Sequence, residues 1–385
     1  MGKLGKVTLV GAGPGDVELL TLKGLRALQQ ADVVIFDRLV NPYILMEANQ
    51  DAKVIYCGKQ PCKHTLRQED IQTEMLIHAK KGKNVVRLKG GDPAVFGRVG
   101  EEAAFLKNNG IVFEIVPGVT AGIAASMYAG VPVTHRDFSA SFAVVTGHRK
   151  DKQDHLTINW GALAHSVDTL LFYMGISELE TIVSKLIQYG KHKQTPVLVI
   201  QWGTYSRQKT VEGTLATIGH LILEEKVTNP AIIVIGEIVK EREQFSWFEN
   251  QRYSGIGVLT PTKRETAFQL DLRQNGADIY AFPFIQDDRY AFDRQPSLSL
   301  TPLQKMSLVR LLEDGHVHLL VCESEVELAT MDRCFEQISR QPFHDRHITL
   351  VASNISTSNI QNFSDKWGLE LYNMNERDKK SMILM

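Results

Sequence analysis

The chain has 385 residues, a length that suggests two or three domains. Hydrophobic residues make up 43% and charged residues 23%, as in ordinary globular proteins, and the formal net charge of -1 gives no reason to expect a nucleic-acid partner. Residues 1–150 carry 19 lysines and arginines against 14 aspartates and glutamates, a net charge of +5. This excess would suit an acidic small molecule, although an imbalance of this size also arises by chance.

Several features predict a cytoplasmic protein without a bound metal. No run of about 18 apolar residues is present, so no membrane-spanning helix is expected. The chain passes from Lys6 straight into a strand and a glycine loop, which leaves no room for a signal peptide. Cys57, Cys62, Cys322 and Cys334 have neither a CxxC spacing nor a partnered histidine pattern, which is typical of reduced thiols and not of a zinc site.

The first glycine-rich loop directly follows the first predicted strand. Gly11 and Gly13, with Asp37 at the end of the next strand, imitate the fingerprint of dinucleotide-binding enzymes and its ribose-binding acid. The match fails twice, because Asp16 stands where the third glycine belongs and Pro14 interrupts the start of the phosphate-binding helix. Because the match is incomplete, a nicotinamide-dependent oxidoreductase is kept only as an alternative hypothesis.

A second glycine loop ends the strand that begins at Val85. It reads Gly90-Gly91-Asp92-Pro93, in which the glycines allow a sharp turn and the proline pushes Asp92 away from helical geometry. Such a loop offers free N–H groups and one carboxylate to a small ligand. An isolated sequence of this kind is as often an ordinary turn. Similar loops elsewhere in the first half of the chain favour a ligand site.

Charged residues follow the second and third predicted strands. Asp37 lies at the carboxyl end of its strand, where ligands collect in open α/β sheets, although a turn or N-cap aspartate is the structural alternative. The basic cluster of Lys59, Lys63, His64 and Arg67 is either a solvated loop or part of the lining for an anionic substrate.

The alternation of strands and helices predicts an α/β protein. Four strand–loop–helix units by residue 130 indicate a mostly parallel sheet with helices on both faces, in a first domain over residues 1–136. A second α/β domain is predicted over residues 137–245 and a third over residues 255–375. A polar linker over residues 244–254 would join the second and third domains.

Periodicity and turn residues predict several further elements. A helix is expected after Thr21, a suitable N-cap, and a strand over residues 231–239. Residues 209–213 are expected to form a hairpin partner. The segment 123–130 is rich in small residues, which allow close backbone approach. Met174, at the expected last position of a strand, is a candidate for packing against a ligand.

The loops occur in an order that carries a family resemblance. In chain order they are Gly11-Ala-Gly-Pro-Gly-Asp16, Tyr56-Cys-Gly-Lys59, Val85 to Arg98, Pro117-Gly-Val-Thr120, Thr134-His-Arg136, Thr146-Gly-His148, Tyr173-Met-Gly175 and Gly203-Thr204. Each motif is weak alone, but the ordered set over residues 5–245 resembles the S-adenosylmethionine-dependent tetrapyrrole methylases, and among them the uroporphyrinogen-III C-methyltransferases.

This resemblance implies two α/β domains with the active site in the cleft between them, in a homodimer. It implies methylation of uroporphyrinogen III at C-2 and C-7, which gives precorrin-2 through precorrin-1 for sirohaem or cobalamin, with S-adenosylhomocysteine as the second product. The matching cofactor residues would be Pro14, Gly90, Gly91, Asp92, Val95, Thr120, Ala121, Met174 and Gly203. Asp37 matches the proposed base of these enzymes and Lys59 their proposed proton donor.

The residue types agree with that chemistry. A sulfonium methyl needs only an in-line nucleophile, so positioning should dominate the rate. Asp92 can face the ammonium group of the cofactor, and Asp37 can stabilise the positive charge that methylation builds on the macrocycle or remove a proton. The basic residues expected near an acidic tetrapyrrole are Arg38, Lys63, Arg67, Arg98 and Arg136.

Two stretches depart from the pattern of the resemblance. Val99 replaces a usual glycine and Gln60-Pro-Cys-Lys63 is poor in glycine, changes that could alter substrate fit. Neither change touches a matching cofactor position, so the resemblance stands, and a sister methylase acting on a later corrin intermediate is a separate alternative.

The third domain resembles part of a uroporphyrinogen-III synthase through Val258-Leu-Thr-Pro261 and Gly276-Ala-Asp278. It has about half the length of such an enzyme, and Cys322-Glu-Ser-Glu325 replaces the usual loop. We interpret it as truncated and inactive, kept for packing or partner docking, with a second enzyme as the alternative.

Overall fold

The computed structural model describes residues 3–58, 67–147, 158–262, 266–284, 299–338 and 347–373. These residues form three α/β units, each built on a five-stranded sheet. Within these ranges, no helix is both long enough and apolar enough to cross a membrane.

The strands of the first sheet are β1 (Lys6–Gly11), β2 (Val33–Phe36), β3 (Lys53–Tyr56), β4 (Val85–Lys89) and β5 (Val112–Val116). They lie in the order β3-β2-β4-β1-β5, and every neighbouring pair is parallel, which confirms the predicted parallel sheet. Because all carboxyl ends share one edge, the loops that follow β1, β2 and β4 lie side by side.

The helices of this part of the chain are α1 (Leu22–Gln29), α2 (Gln68–Lys80), α3 (Val99–Asn108) and α4 (Ala121–Tyr128). Helix α1 begins at the predicted cap, where the Thr21 hydroxyl accepts a hydrogen bond from the Gly24 N–H at 3.1 Å. Helix α4 was predicted only as a segment of close approach. Its small residues provide that approach from within a helix, on which Ala125 is 2% exposed.

The second sheet comprises β6 (Phe142–Thr146), β7 (Thr169–Tyr173), β8 (Pro196–Gln201), β9 (Lys209–Thr214) and β10 (Ala231–Ile235). The order is β6-β7-β10-β8-β9; β6 and β7 are parallel, and the other pairs are antiparallel. The hairpin partner of β8 is thereby confirmed. The prediction of a strand over residues 231–239 was wrong at its end, because the backbone leaves the sheet at Gly236 and forms a 3-10 turn over Glu237–Glu241.

The helices of the second unit are α5 (Trp160–Ser166), α6 (Leu179–Gln188), α7 (Ile218–Glu224) and α8 (Arg242–Phe245). Helices α5 and α7 were missed from the sequence. Each has 7 residues, which is too short for helical periodicity to stand out.

The third unit contains β11 (Gly257–Thr260), β12 (Asp278–Ala281), β13 (Leu319–Cys322), β14 (Thr349–Ala352) and β15 (Glu370–Asn373), with α9 (Ala267–Gln274), α10 (Pro302–Glu313), α11 (Glu325–Glu336) and α12 (Thr357–Trp367). The strand order is β12-β11-β13-β14-β15, and all neighbours are parallel. This is a doubly wound α/β arrangement with the second strand outside the first.

The third unit packs directly against the first, and the two share one apolar core. Leu45 and Ile44, in the 3-10 turn after β2, belong to the same buried cluster as Leu303, Leu308 and Leu311 of α10. The two units are therefore joined by the same apolar burial that stabilises each of them.

The segment predicted as a polar linker is packed against the domains it joins. Phe248 is 8% exposed and Tyr253 is 1% exposed. Arg242 donates to the carbonyl of Ala129 at 3.1 Å and pairs with Glu249. The predicted linker therefore packs against the domains that it connects, because its aromatic residues are buried.

Candidate functional site

Three loops of the first domain meet at three glycines. A Cβ on Gly118 would lie 2.3 Å from the carbonyl oxygen of Gly91, and a Cβ on Gly11 would lie 2.6 Å from the backbone nitrogen of Gly118. Gly13 and Gly91 also exchange backbone hydrogen bonds of 3.2 and 2.7 Å. Side chains at Gly11 and Gly118 would separate the loops, whereas Gly91 is suited to its φ of 66°, a left-handed backbone that residues with a side chain rarely adopt.

Asp92 links two of these loops through hydrogen bonds. Its Oδ1 accepts from the N–H of Ala94 at 2.7 Å and its Oδ2 from the N–H of Gly118 at 2.9 Å. Each carboxylate oxygen can accept more than one hydrogen bond, so contact with a cofactor ammonium stays a prediction. The structure adds a role in loop geometry that the sequence did not indicate.

Tyr173 brings the second domain to the same place. Its hydroxyl lies 2.6 Å from Oγ1 of Thr120 and accepts a hydrogen bond from the N–H of Gly122 at 2.5 Å. These two residues flank Ala121. Burial raises the pKa of the Tyr173 hydroxyl above its ordinary value.

Two apolar side chains lie exposed beside Tyr173. Met174, which follows β7 instead of ending it, has a φ of 52° and is 44% exposed. The Phe96 ring lies 5.3 Å from the Tyr173 ring and is 40% exposed. Tyr173 and Phe96 were not among the predicted site residues, although Tyr173 stands in a motif of the resemblance.

The loop containing Gly203 closes the site from the second domain. A Cβ on Gly203 would lie 2.3 Å from the Cβ of Ala125, so glycine allows the loop to rest on α4. Oγ1 of Thr204 accepts from the N–H of Asp16 at 3.0 Å, and the Tyr128 hydroxyl donates to Asp16 at 2.7 Å. The loops that carry the predicted cofactor residues Pro14 and Gly203 are thus tied together.

Asp37 lies at the carboxyl end of β2, next to these loops. Its N–H donates to the Leu88 carbonyl at 3.3 Å, and the following residues reach Gly90, where a Cβ would lie 3.1 Å from the Cβ of Leu39. The Asp37 side chain is 32% exposed, whereas its partner Arg87, 2.5 Å away, is 2% exposed. Asp37 thus joins a buried cation to the open surface of the site.

The charges behind Asp37 form a buried network. Glu102, on α3, is fully buried and accepts from Arg87 Nε at 3.3 Å and from Lys89 Nζ at 3.1 Å. Burial alone would lower the pKa of Arg87, but the Asp37 and Glu102 carboxylates raise it above its ordinary value. Burial and the charge of Arg87 lower the pKa of Lys89, while Glu102 opposes that shift.

Sequence reasoning missed this network, although β4 carries a signal for it. Arg87 and Lys89 alternate with apolar residues in a strand whose five residues are all buried. Two cations on one buried face require a buried carboxylate, and Glu102 supplies it.

The predicted substrate residues are placed unevenly. Arg38 follows Asp37 and is exposed, and Arg98 is held by Glu101 through hydrogen bonds of 2.8 and 2.5 Å. Arg67 is exposed at the start of α2, and Arg136 is exposed in the connection between the first two domains. Their contact with a substrate stays a prediction. Lys59 and Lys63 lie outside the described residues.

Val95 lies in the same loop as Asp92, and its contact with a cofactor stays a prediction. Val95 follows Asp92 and its N–H donates to the Asp92 carbonyl at 3.2 Å. In the ranges that the structure describes, no group of three or more His, Cys, Asp or Glu side chains could hold a metal ion. The helix after the first glycine loop starts only at Leu22, which does not support a pyrophosphate-binding loop.

Comparison with known proteins gives consistent results. The family model for tetrapyrrole (corrin/porphyrin) methylases matches residues 6–219. A uroporphyrinogen-III C-methyltransferase of Priestia megaterium is 58% identical over 236 residues, which cover 61% of this chain and 99% of that protein. The crystal structure of a Thermus thermophilus uroporphyrin-III C-methyl transferase complexed with S-adenyl homocysteine is 37% identical, with a TM-score of 0.52, over 61% of this chain and 94% of that one.

A longer relative shares part of the third domain. A uroporphyrinogen-III C-methyltransferase of Bacillus subtilis strain 168 is 51% identical over 283 residues, which cover 73% of this chain and 58% of that protein. An alignment of that length continues past the second domain into the third. The chain spans less than two thirds of this relative.

Proposed function

Because the chain belongs to the tetrapyrrole methylase family, we propose that it transfers methyl groups from S-adenosylmethionine to uroporphyrinogen III, at C-2 and C-7, and so forms precorrin-2 by way of precorrin-1. The observation that supports this proposal is that five loops, distant from one another in sequence, are joined by direct contacts. Those loops carry Gly13, Gly91, Thr120, Met174 and Gly203.

The residues of the cleft fit S-adenosylmethionine. Gly11 and Gly118 lie where a Cβ would clash with neighbouring backbone, and Gly91 has a φ of 66°, so the loops expose peptide N–H and C=O groups that can bind the amino-acid end of a small zwitterion. The exposed side chain of Met174 offers an apolar surface to an adenosine ring. The bound cofactor would supply an electrophilic methyl group on a sulfonium.

Asp37 is the residue we assign to the developing charge on the macrocycle. Methylation of an electron-rich pyrrole carbon leaves positive charge and a proton to be removed. Arg87 holds one carboxylate oxygen of Asp37 and leaves part of the side chain exposed to the cleft. A carboxylate oriented in this way can stabilise that charge or accept the proton. Lys59 remains the candidate proton donor.

Basic side chains would recognise the acidic substituents of the substrate. Arg98 is the one with the clearest geometry, since its guanidinium is exposed and already binds the Glu101 carboxylate in a fork. A substrate carboxylate can replace Glu101 in that fork. Arg38, Lys63, Arg67 and Arg136 are the further candidates.

We also propose that the chain forms a homodimer in the cytoplasm. Among the described strands β6 lies at an edge of its sheet; its first residue, Phe142, is 38% exposed, and Phe138, shortly before it, is 40% exposed. An edge strand with exposed aromatic residues suits pairing with a second copy. Light scattering on the full chain tests this, and a monomer at micromolar concentration would contradict it.

For the third domain we propose a partial uroporphyrinogen-III synthase fold without synthase activity. The support is a single doubly wound lobe, whose order is β12-β11-β13-β14-β15. Incubation of the full chain with hydroxymethylbilane should give no cyclised product above the uncatalysed rate. Turnover would show a second enzyme.

The methyltransferase proposal is tested by incubating the chain with uroporphyrinogen III and S-adenosylmethionine and measuring the product by mass spectrometry. We expect a tetrapyrrole that has gained two methyl groups. Methylation of a later corrin intermediate, with none of uroporphyrinogen III, would instead indicate a sister methylase. Binding of NAD(H) without binding of S-adenosylhomocysteine would contradict the proposal.

A further inference from the structure

The third domain holds the loop that carries Gly203. The carboxylate of Asp278, at the start of β12, accepts from the N–H of Ser206 at 2.9 Å. Arg207 donates to the Asp314 carbonyl and lies 3.3 Å from Nε2 of His316. The loop after β8 is therefore bonded to the third domain at two successive residues.

The same loop contains two non-glycine residues with strained backbone conformations. Trp202 and Thr204 have φ values of 51° and 71°, in the left-handed region that residues with a side chain rarely adopt. The guanidinium of Arg207 lies 3.7 Å from the centroid of the Trp202 ring, so the residue that reaches the third domain also covers the strained position. Such conformations persist only where surrounding contacts hold them.

This support continues to the first glycine loop. Tyr205 is 3% exposed and its ring lies 5.0 Å from the His316 ring. On its other side, a Cβ on Gly15 would lie 2.3 Å from Cε2 of Tyr205. Thr204 accepts from Asp16, as described above. Contacts therefore run without a gap from the third domain to the loop that carries Pro14.

A second set of contacts holds the segment after Asp37. The Tyr43 hydroxyl donates to the Ala281 carbonyl at 2.8 Å and accepts from the Ala281 N–H at 3.1 Å. Ser307, which is fully buried, donates to the Pro42 carbonyl at 2.8 Å. Asn41, the cap of this turn, donates to the Gly15 carbonyl at 2.8 Å.

We propose that the third domain is a brace for the methyltransferase cleft, fixing the loop at residues 202–206 and the turn at residues 41–44 so that the methyl donor binds a preformed site. The proposal rests on the proposed function for the role of the cleft. It assigns the third domain a use that needs no catalytic activity of its own. Preformed loops strengthen binding because less conformational entropy is lost when the ligand binds.

The test compares two aspartates of the third domain in the full chain. Asp278→Ala removes the bond to Ser206. Asp332→Ala is the matched control, because Asp332 also accepts hydrogen bonds, from Trp367 at 2.7 Å and Lys366 at 2.9 Å, but only from residues of the third domain. Tyr43→Phe is the milder second variant, since it deletes only the hydroxyl that bonds to Ala281.

Two readouts separate this inference from the proposed function. Hydrogen exchange of the amides at 202–206 should be about five-fold faster in Asp278→Ala, and that at 41–44 about five-fold faster in Tyr43→Phe, the scale of one lost hydrogen bond. The dissociation constant for S-adenosylhomocysteine, measured by calorimetry, should rise by a similar factor in both variants and stay unchanged in Asp332→Ala.

Unchanged exchange in both variants would overturn the brace. Faster exchange with unaltered S-adenosylhomocysteine affinity, in a chain that binds this ligand, would also overturn it, because the loops would then not limit binding. If the unaltered chain does not bind S-adenosylhomocysteine at all, the proposed function fails, while the exchange data still show whether the third domain fixes the two segments.

Discussion

Oδ1 of Asp37 lies 2.5 Å from Nη2 of Arg87, and this contact connects the exposed cleft to a network of buried charge. Arg87 and Glu102 have 2% and 0% of their side chains exposed, so neither can exchange its partner for water. The orientation of Asp37 is therefore set from inside the first domain, by residues that a substrate does not reach.

Replacing Asp37 by asparagine should lower the rate of methyl transfer about a hundredfold or more, the scale of losing a charged acid–base group. The amide keeps the shape of the side chain, so affinity for S-adenosylhomocysteine should stay close to that of the unaltered chain. Steady-state kinetics and calorimetry provide the two measurements. Collapse of binding would show that Asp37 belongs to the cofactor site.

Glu102→Ala should destabilise the chain by about 3 kcal/mol, because it leaves the buried charges of Arg87 and Lys89 without their shared carboxylate. The neighbouring Glu101→Ala removes an exposed ion pair with Arg98 and should cost at most about 1 kcal/mol. Urea unfolding of both variants gives the comparison. Equal midpoints would mean that the buried network adds no stability.

Asp92→Ala should weaken S-adenosylhomocysteine binding by about 1.5–3 kcal/mol, the scale of a lost charge-assisted hydrogen bond. The structure gives a reason besides direct contact, since the loop of Gly118 loses its acceptor. Asp168→Ala is a matched control, because Asp168 similarly accepts from the N–H groups of Ala140 and Ser141, at 2.9 and 3.1 Å, on a different loop. Equal affinity in all three chains would remove Asp92 from the site.

Glu114 should make the free energy of unfolding depend on pH in the acidic range. Hydrogen bonds from Lys23 and Lys6 lower the pKa of Glu114 from 4.5 to about 2. The unfolded chain therefore binds the proton more tightly, so the contribution is fully present above about pH 4.5 and is lost as the pH falls toward 2. The difference in unfolding free energy between the unaltered chain and Glu114→Gln should shrink over that window. A constant difference would contradict the low pKa.

The thiols of Cys57, Cys322 and Cys334 should resist alkylation in the folded chain. Burial raises the pKa of Cys57 and of Cys334 to about 12, and raises that of Cys322 well above its usual value. Since the thiolate is the reactive form, iodoacetamide at pH 8 should label these positions only after unfolding. Mass spectrometry of peptides from native and unfolded samples decides this.

Local patterns predicted most of the regular structure. Short apolar runs such as Val33–Phe36 became strands with the expected bounds, and Thr21 became the expected cap. The elements that were missed were short, as α5 and α7 are, or were made of small residues, as α4 is. Neither kind contains enough apolar contrast for a period to be visible.

The site was predictable only as a set of separate loops. Gly91 and Asp92 were chosen correctly as loop residues, but the bonds from Asp92 to Gly118 and from Thr120 to Tyr173 join positions that are far apart in sequence. The buried position of Glu102 and the packing of Phe248 were likewise invisible, because burial depends on what covers a residue.

The sequence by itself determined the strands, the glycine turns and their order along the chain, since these follow from side-chain volume, backbone freedom and periodicity within a few residues. Only the tertiary structure decided which turns touch, that Arg87 orients Asp37, and that Asp278 reaches Ser206 across a domain boundary. The physical reason is that contacts between segments distant in sequence depend on how whole sheets and helices pack. Local residue patterns do not determine that packing.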